Sequence, residues 1–173
     1  MSIVQSLASG TLAIALSSAA LAQGYYREDI VRAVCRKDGC DEFSVLEAVP
    51  IAQARTGTLV RVKLQTYHAS YQGRADRGTE DAHAFCSTSD PTLIAEFEGK
   101  LVAFHLAPLG REREPRDTIN YYAMYFAVCH GLDAGKRATA NKAAVGAALG
   151  YERRLDHLKS ENVGRLEDFL TGR

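Results

Sequence analysis

Apolar and polar side chains alternate most clearly in the segment 58–68. One face carries Val60, Val62, Leu64 and Thr66, and the other carries Arg61, Lys63 and Gln65. A period of two is typical of a strand with one buried side and one solvent-facing side. The segment therefore predicts a half-buried strand of an antiparallel sheet.

Other segments give weaker patterns. We expect a short strand at 43–46, with Pro50 ending that region, and another strand at 82–87. The segment 25–34 fits a short helix or a strand, and its periodicity does not decide between them. The segment 70–80 contains two glycines and several charged side chains, which predicts an exposed loop.

A hairpin is predicted where the segments 92–97 and 100–106 flank the dipeptide Glu98-Gly99. The residues of its second strand that would face the core are Val102, Phe104 and Leu106. Successive side chains of a strand point to opposite faces, so this arrangement places His105 on the other side of the sheet.

The densest aromatic run of the chain, 121–126, is followed closely by Cys129, His130 and Gly131. Either residue 117 or residue 118 can cap a helix that Gly131 ends, and we predict a helix between them. A strand is the alternative, because the apolar residues of this run do not share one clean face.

Two further segments fit helices. An alanine-rich stretch, 134–149, predicts a helix that ends at Gly150. The apolar residues of the tail, 151–170, roughly follow helical spacing, although Gly164 and the polar residues before it are compatible with a break.

These elements predict an α+β fold: a small antiparallel sheet in the N-terminal half, packed against two or three C-terminal helices. No internal repeat or low-complexity linker divides residues 23–173, so we expect a single domain. A chain of this size buries roughly 70% of its unfolded surface, which is enough for a real core.

The first 26 residues carry no charged side chain. The apolar segment 12–16 is followed by Ala20-Leu21-Ala22, which has the small-x-small form that signal peptidase accepts. We therefore predict a signal peptide over 1–22 and a periplasmic or secreted domain over 23–173. A retained membrane anchor is the alternative, but the strongly apolar part is shorter than the roughly 20 residues that a membrane span needs.

The chain contains four cysteines, Cys35, Cys40, Cys86 and Cys129. An even number of cysteines in an exported chain favours disulfides. Of the three pairings, we favour Cys35–Cys40, which closes a tight loop, together with Cys86–Cys129. The chain-entropy model gives about 4 kcal/mol for the long bridge and about 2 kcal/mol for the short one. The fold is therefore expected to be disulfide-stapled.

The 21 basic and 21 acidic side chains balance to a net charge of zero. Nucleic acids and anionic membranes usually bind proteins with a basic surface, so we expect no nucleic-acid partner and no stable membrane insertion after cleavage. No glycine-rich phosphate loop is present, and we expect no cofactor.

Several motifs can be compared with known proteins. They are Phe85-Cys86-Ser87 with the proline-led strand after it, Leu106-Ala107-Pro108, and the segment 125–131. Together they resemble a group of small secreted proteins from alphaproteobacteria, and the resemblance runs from about residue 56 to about residue 150. The resemblance implies export and a shared fold, and it carries no activity.

The cysteines and histidines suggest two catalytic chemistries, a cysteine thiol and a histidine-bound metal. A thiolate at Cys129 would lie at a helix C-terminus, where the helix dipole disfavours negative charge and favours a protonated, capping His130. His83 and Cys86 are an odd number of residues apart and fall on opposite faces of a strand. No C-x-x-C or H-E-x-x-H spacing is present. We therefore expect no catalytic residue and no metal ligand, and a small hydrolase of either kind is the alternative.

Tyrosines are numerous, eight in a chain without tryptophan. A buried tyrosine with an internal hydrogen bond is the simpler expectation for any one of them, but exposed hydroxyls make good contacts with sugars and proteins. Tyr67 and Tyr71, beside the predicted loop, and His105 are our candidates for a binding surface. We therefore predict an exported, disulfide-stabilised binding protein, whose partner in the cell envelope is a protein, a small molecule or a saccharide.

Overall fold

A computed structural model describes residues 27–110, 115–152 and 154–170, without the side chains of residues 168 and 169. Its strands are β1 (Ile30–Arg36), β2 (Gly39–Ala54), β3 (Gly57–Ser70), β4 (Gly73–Cys86), β5 (Thr92–Phe97), β6 (Lys100–His105) and β7 (Lys159–Val163). Its helices are α1 (Ile119–His130), α2 (Leu132–Ala148) and the short α3 (Leu166–Leu170). The predicted signal peptide, 1–22, lies outside the described residues.

The strands form one antiparallel sheet in which each pairs with the next in chain order, β1 to β7. The alternation in β3 is confirmed, because Val60, Val62 and Leu64 are buried while Arg61 and Lys63 are exposed. The predicted α+β class is confirmed, with α1 and α2 packed on one face of the sheet. The sheet is larger than predicted, since β7 comes from the C-terminal tail.

The strand reading of the segment 25–34 agrees with β1, which begins at Ile30. The prediction that Pro50 ends the next strand is wrong, because β2 continues through it to Ala54. The pairing of β1 with β2 extends only to Ser44, so Pro50 lies where β2 is an edge strand. Proline is tolerated at an edge because it removes no hydrogen bond from a neighbouring strand.

The prediction of an exposed loop at 70–80 is also wrong. Ser70 pairs with Gly73, so only two residues separate β3 from β4. Gly78 has a φ of +92° next to a break in the strand register. Residues 75–80 are exposed along β4, which explains why no apolar alternation marked this part of the strand.

The helix predicted from the aromatic run is confirmed as α1. Its apolar residues do not share one face because the helix is covered on two sides, by the sheet and by α2. A Cβ atom at Gly135 of α2 would lie 2.6 Å from the Cβ atom of Ala127 and 2.8 Å from the carbonyl oxygen of Ala123. Glycine at this position therefore permits the close approach of the two helices.

The alanine-rich segment forms α2, with an interruption at Asn141, whose φ of −156° and ψ of 85° are not helical. The Asn141 side-chain oxygen accepts a hydrogen bond from the backbone N–H of Ala144 at 3.0 Å and so caps the second half of the helix.

Helical spacing in the tail predicted the wrong element. The tail adds β7 to the sheet, and only the short α3 is helical. Val163, Leu166 and Leu170 pack on a second apolar cluster, on the face of the sheet opposite α1. The buried members of that cluster are Leu59, Phe85, Ile94 and Ala103.

The predicted disulfide pairing is confirmed: the structure contains the bridges Cys35–Cys40 and Cys86–Cys129. The first joins β1 to β2, and the second joins the end of β4 to the last turn of α1. Within the described ranges, no helix is long and apolar enough to cross a membrane.

Candidate functional site

The three candidate binding residues do not lie together. Tyr71 is fully exposed at the turn between β3 and β4. Tyr67 is half-buried, with the guanidinium groups of Arg27 and Arg74 at 5.7 and 5.9 Å from its ring centroid. His105 lies at the other end of the sheet, because it pairs with Thr92 near the end of β4. The tyrosines and the histidine therefore belong to different surfaces.

His105 lines a cleft of about 660 Å³, which we call the His105 cleft. Its walls come from the β2–β3 turn, the loop before β5, the loop after β6, the segment after α2 and the start of β7. Side chains from these parts include Arg55, Asp90, Pro91, Leu109, Lys159 and Glu161. Ligand pockets commonly have this size and this mixture of apolar walls with a few polar groups.

Both nitrogen atoms of the His105 ring have carboxylate partners. Nδ1 lies 3.1 Å from the Asp90 carboxylate and 3.1 Å from the hydroxyl of Thr92. Nε2 lies 3.0 Å from the carboxylate of Glu161. The His105 side chain is only 14% exposed, so these contacts fix the orientation of the ring at the edge of the cleft.

The two carboxylates contact opposite edges of the imidazole ring and do not converge on one point. A metal site needs several ligand atoms around a common centre. Among the described residues, no group of three or more histidine, cysteine, aspartate or glutamate side chains has that arrangement.

Ser87 stabilises the loop that carries Asp90 through hydrogen bonds to the loop backbone. The Ser87 hydroxyl accepts hydrogen bonds from the backbone N–H groups of Ser89, at 3.3 Å, and Asp90, at 3.1 Å. The backbone N–H of Leu106 donates to the carbonyl of Pro91 at 2.7 Å. These bonds fix Asp90 next to the end of β6, where His105 lies.

Two buried tyrosines of α1 form hydrogen bonds with backbone groups of the loops beside the cleft. The Tyr125 hydroxyl accepts a hydrogen bond from the Ser87 backbone N–H at 2.9 Å. The Tyr122 hydroxyl accepts one from the Ala107 backbone N–H at 3.0 Å. Lys142 of α2 donates to the Ala107 carbonyl at 2.9 Å, with its ammonium group 4.1 Å from the centroid of the Tyr122 ring. The aromatic run of α1 thus supports the loops on both sides of the cleft.

His130 does not have the predicted role of a protonated helix cap. Its Nε2 lies 2.6 Å from the hydroxyl oxygen of Tyr151. Burial lowers the pKa of His130, which favours the neutral ring over the protonated form. Burial also raises the pKa of Tyr151 to about 12 and that of Tyr125 well above its ordinary value. The polar atoms in this aromatic cluster are therefore neutral at physiological pH.

All four cysteines are in disulfides, so none is available as a thiolate. Cys129 lies one residue before the C-terminus of α1, as the sequence predicted. His83 lies on the face of β4 opposite Cys86, and burial lowers its pKa. The described structure therefore brings no histidine and cysteine together as a catalytic pair.

No protein-family model, curated protein or solved structure matches this chain. The sequence pattern placed His105 on the face of β6 opposite Phe104, as the structure has it, but it indicated neither Asp90 nor Glu161 as a partner of the ring. Asp90 follows the strand predicted at 82–87, and Glu161 is one of the polar residues before Gly164, so neither position carries a pattern that indicates a site. The pairing of β6 with β7 brings Glu161 to His105, and no periodicity in the tail indicated that strand.

Proposed function

We propose that this protein is an extracytoplasmic binding protein that takes a small polar ligand in the His105 cleft. The observation that carries this proposal is the fixed Asp90–His105–Glu161 array at the edge of a cleft of about 660 Å³. A preformed cleft with oriented polar groups loses little conformational entropy when a ligand binds.

Binding fits the geometry better than catalysis does. A general base needs a nitrogen or oxygen atom that can reach the proton of the substrate. Both nitrogens of His105 already contact carboxylates, and the ring is mostly buried. The hydroxyl of Thr92 also contacts Nδ1, but it is itself completely buried. No observation in the described structure favours the alternative hydrolase.

The compartment agrees with this proposal. The two disulfides indicate an oxidising extracytoplasmic compartment, because cytosolic thiols are kept reduced. The N-terminal segment, whose first 26 residues carry no charged side chain, also supports a periplasmic or secreted location. The partner that we propose is a small molecule of the cell envelope.

The proposal is tested with amide NMR spectra of the disulfide-bonded protein in the presence of millimolar glycine, glucose, N-acetylglucosamine, succinate and benzoate. We expect at least one compound to shift the resonances of Ser89, Leu106 and Ser160, which surround the cleft. If none of the compounds shifts these resonances, the proposal is contradicted.

A matched pair of variants localises the site. Thr56 lines the cleft, whereas Thr79 is exposed on β4 outside it. Thr56→Trp should fill the mouth of the cleft and abolish the shifts, and Thr79→Trp should leave them unchanged. Equal shifts in both variants would place binding elsewhere.

A further inference from the structure

Not every charged side chain that lines the His105 cleft has an ion-pair partner among the described residues, and this bears on the ligand. The imidazole of His105 contacts the carboxylates of both Asp90 and Glu161. Glu152 forms an ion pair with Arg154, with 2.8 Å between the carboxylate and the guanidinium group. Each acidic side chain that lines the cleft thus has a polar contact within the protein.

Two basic side chains of the lining remain, Arg55 in the turn between β2 and β3 and Lys159 at the start of β7. Within residues 27–110, 115–152 and 154–170, neither side chain forms an ion pair or a side-chain hydrogen bond. The cleft therefore presents two basic side chains that a ligand can contact.

The remaining lining suits a carbon skeleton. Pro91, Leu109 and Leu155 line the same cleft. The apolar atoms of a ligand are stabilised when such walls remove them from water. Arg55 adds directional recognition, because a guanidinium group can bind both oxygens of a carboxylate at once.

From these observations we propose that the ligand is a small organic anion, a carboxylate with an apolar part. Its carboxylate group contacts Arg55 and Lys159, and its apolar part lies against Pro91, Leu109 and Leu155. This inference rests on the proposed binding function and specifies the chemical class of the ligand.

The test compares benzoate with benzamide, which has nearly the same shape and no charge. Amide NMR titrations of the disulfide-bonded protein measure both dissociation constants and show where each compound binds. We expect benzoate to bind in the cleft about tenfold more tightly than benzamide, and we expect added salt to reduce this difference.

The double variant R55Q/K159Q should weaken benzoate binding about tenfold, because each exposed ion pair contributes a change in affinity of up to severalfold. The control K37Q/R137Q removes the same charge from exposed positions outside the cleft and should bind benzoate like the unmodified protein. Equal weakening in both variants would overturn the inference, since it would indicate only a general effect of net charge.

The outcomes separate the inference from the proposed function. Equal binding of benzoate and benzamide in the cleft would overturn the inference and leave the binding function standing. If no compound tested, including the wider set above, shifts the cleft resonances, both fail. If benzoate shifts only amide resonances on another surface of the protein, the inference is also overturned.

Discussion

The hydroxyl oxygen of Tyr122 accepts a hydrogen bond from the backbone N–H of Ala107 at 3.0 Å. One turn further along α1, Tyr125 makes the corresponding contact with Ser87 at 2.9 Å. Ala107 and the loop that follows Ser87 stand on two sides of the His105 cleft. The helix that forms the core on this face of the sheet therefore also sets the shape of the candidate site.

The substitution Tyr125→Phe should destabilise the protein by about 1–3 kcal/mol, because the buried N–H of Ser87 loses its acceptor. The measurement is the free energy of unfolding from urea titration. Tyr71→Phe is the matched control, and it should have no measurable effect because Tyr71 is fully exposed. A loss at Tyr125 no greater than at Tyr71 would mean that this hydrogen bond does not support the loop.

Removal of the two disulfides should have unequal effects. The double variant C86A/C129A should lose about 4 kcal/mol and C35A/C40A about 2 kcal/mol, because the bridges close loops of different length. The single substitutions Cys86→Ser and Cys129→Ser should resemble each other, since each breaks the same bridge. Urea unfolding checks both statements, and a neutral effect of either serine variant would contradict the importance of the long bridge.

Stability should fall as the pH is lowered from about 7 to 5. Burial lowers the pKa of His130 and that of His83 in the folded state. The unfolded chain, whose histidines have an ordinary pKa near 6.5, therefore takes up protons first and gains free energy relative to the folded chain. The stabilising effect of the neutral rings is complete above pH 6.5 and is lost progressively below it.

The double variant H83Q/H130Q should make the urea midpoint less dependent on pH over this window. The lowered pKa values of Asp29 and Asp41 affect stability only below about pH 4, so they do not mask the effect. His157→Gln, at an exposed position, serves as the control. An unchanged pH dependence in the double variant would contradict this account of the two rings.

The sequence predicted best those strands that have one buried face and one exposed face. β3 alternates between buried and exposed residues, so its period is visible without knowledge of its neighbours. The outer half of β4 and most of β7 lack this signal, since residues 75–80 and 159–162 are exposed. These strands exist because their backbones pair with a neighbour, which a single segment of sequence does not show.

The candidate site was predictable only in part for a related reason. The hairpin pattern gave the face on which His105 lies. Its partners Asp90 and Glu161 are 15 and 56 residues away along the chain. The loop between β4 and β5 brings Asp90 to the ring, and the pairing of β7 with β6 brings Glu161. Tyr71 was correctly expected to be exposed, but Tyr67 is partly covered by two arginines.

The central claim is that the His105 cleft binds a small organic anion, and a crystal structure of the disulfide-bonded protein soaked with benzoate tests it most directly. The account predicts benzoate in the cleft, with its carboxylate at Arg55 and Lys159 and its ring near Leu109. Benzoate bound only outside the cleft, or a cleft that stays empty at saturating benzoate, would contradict it.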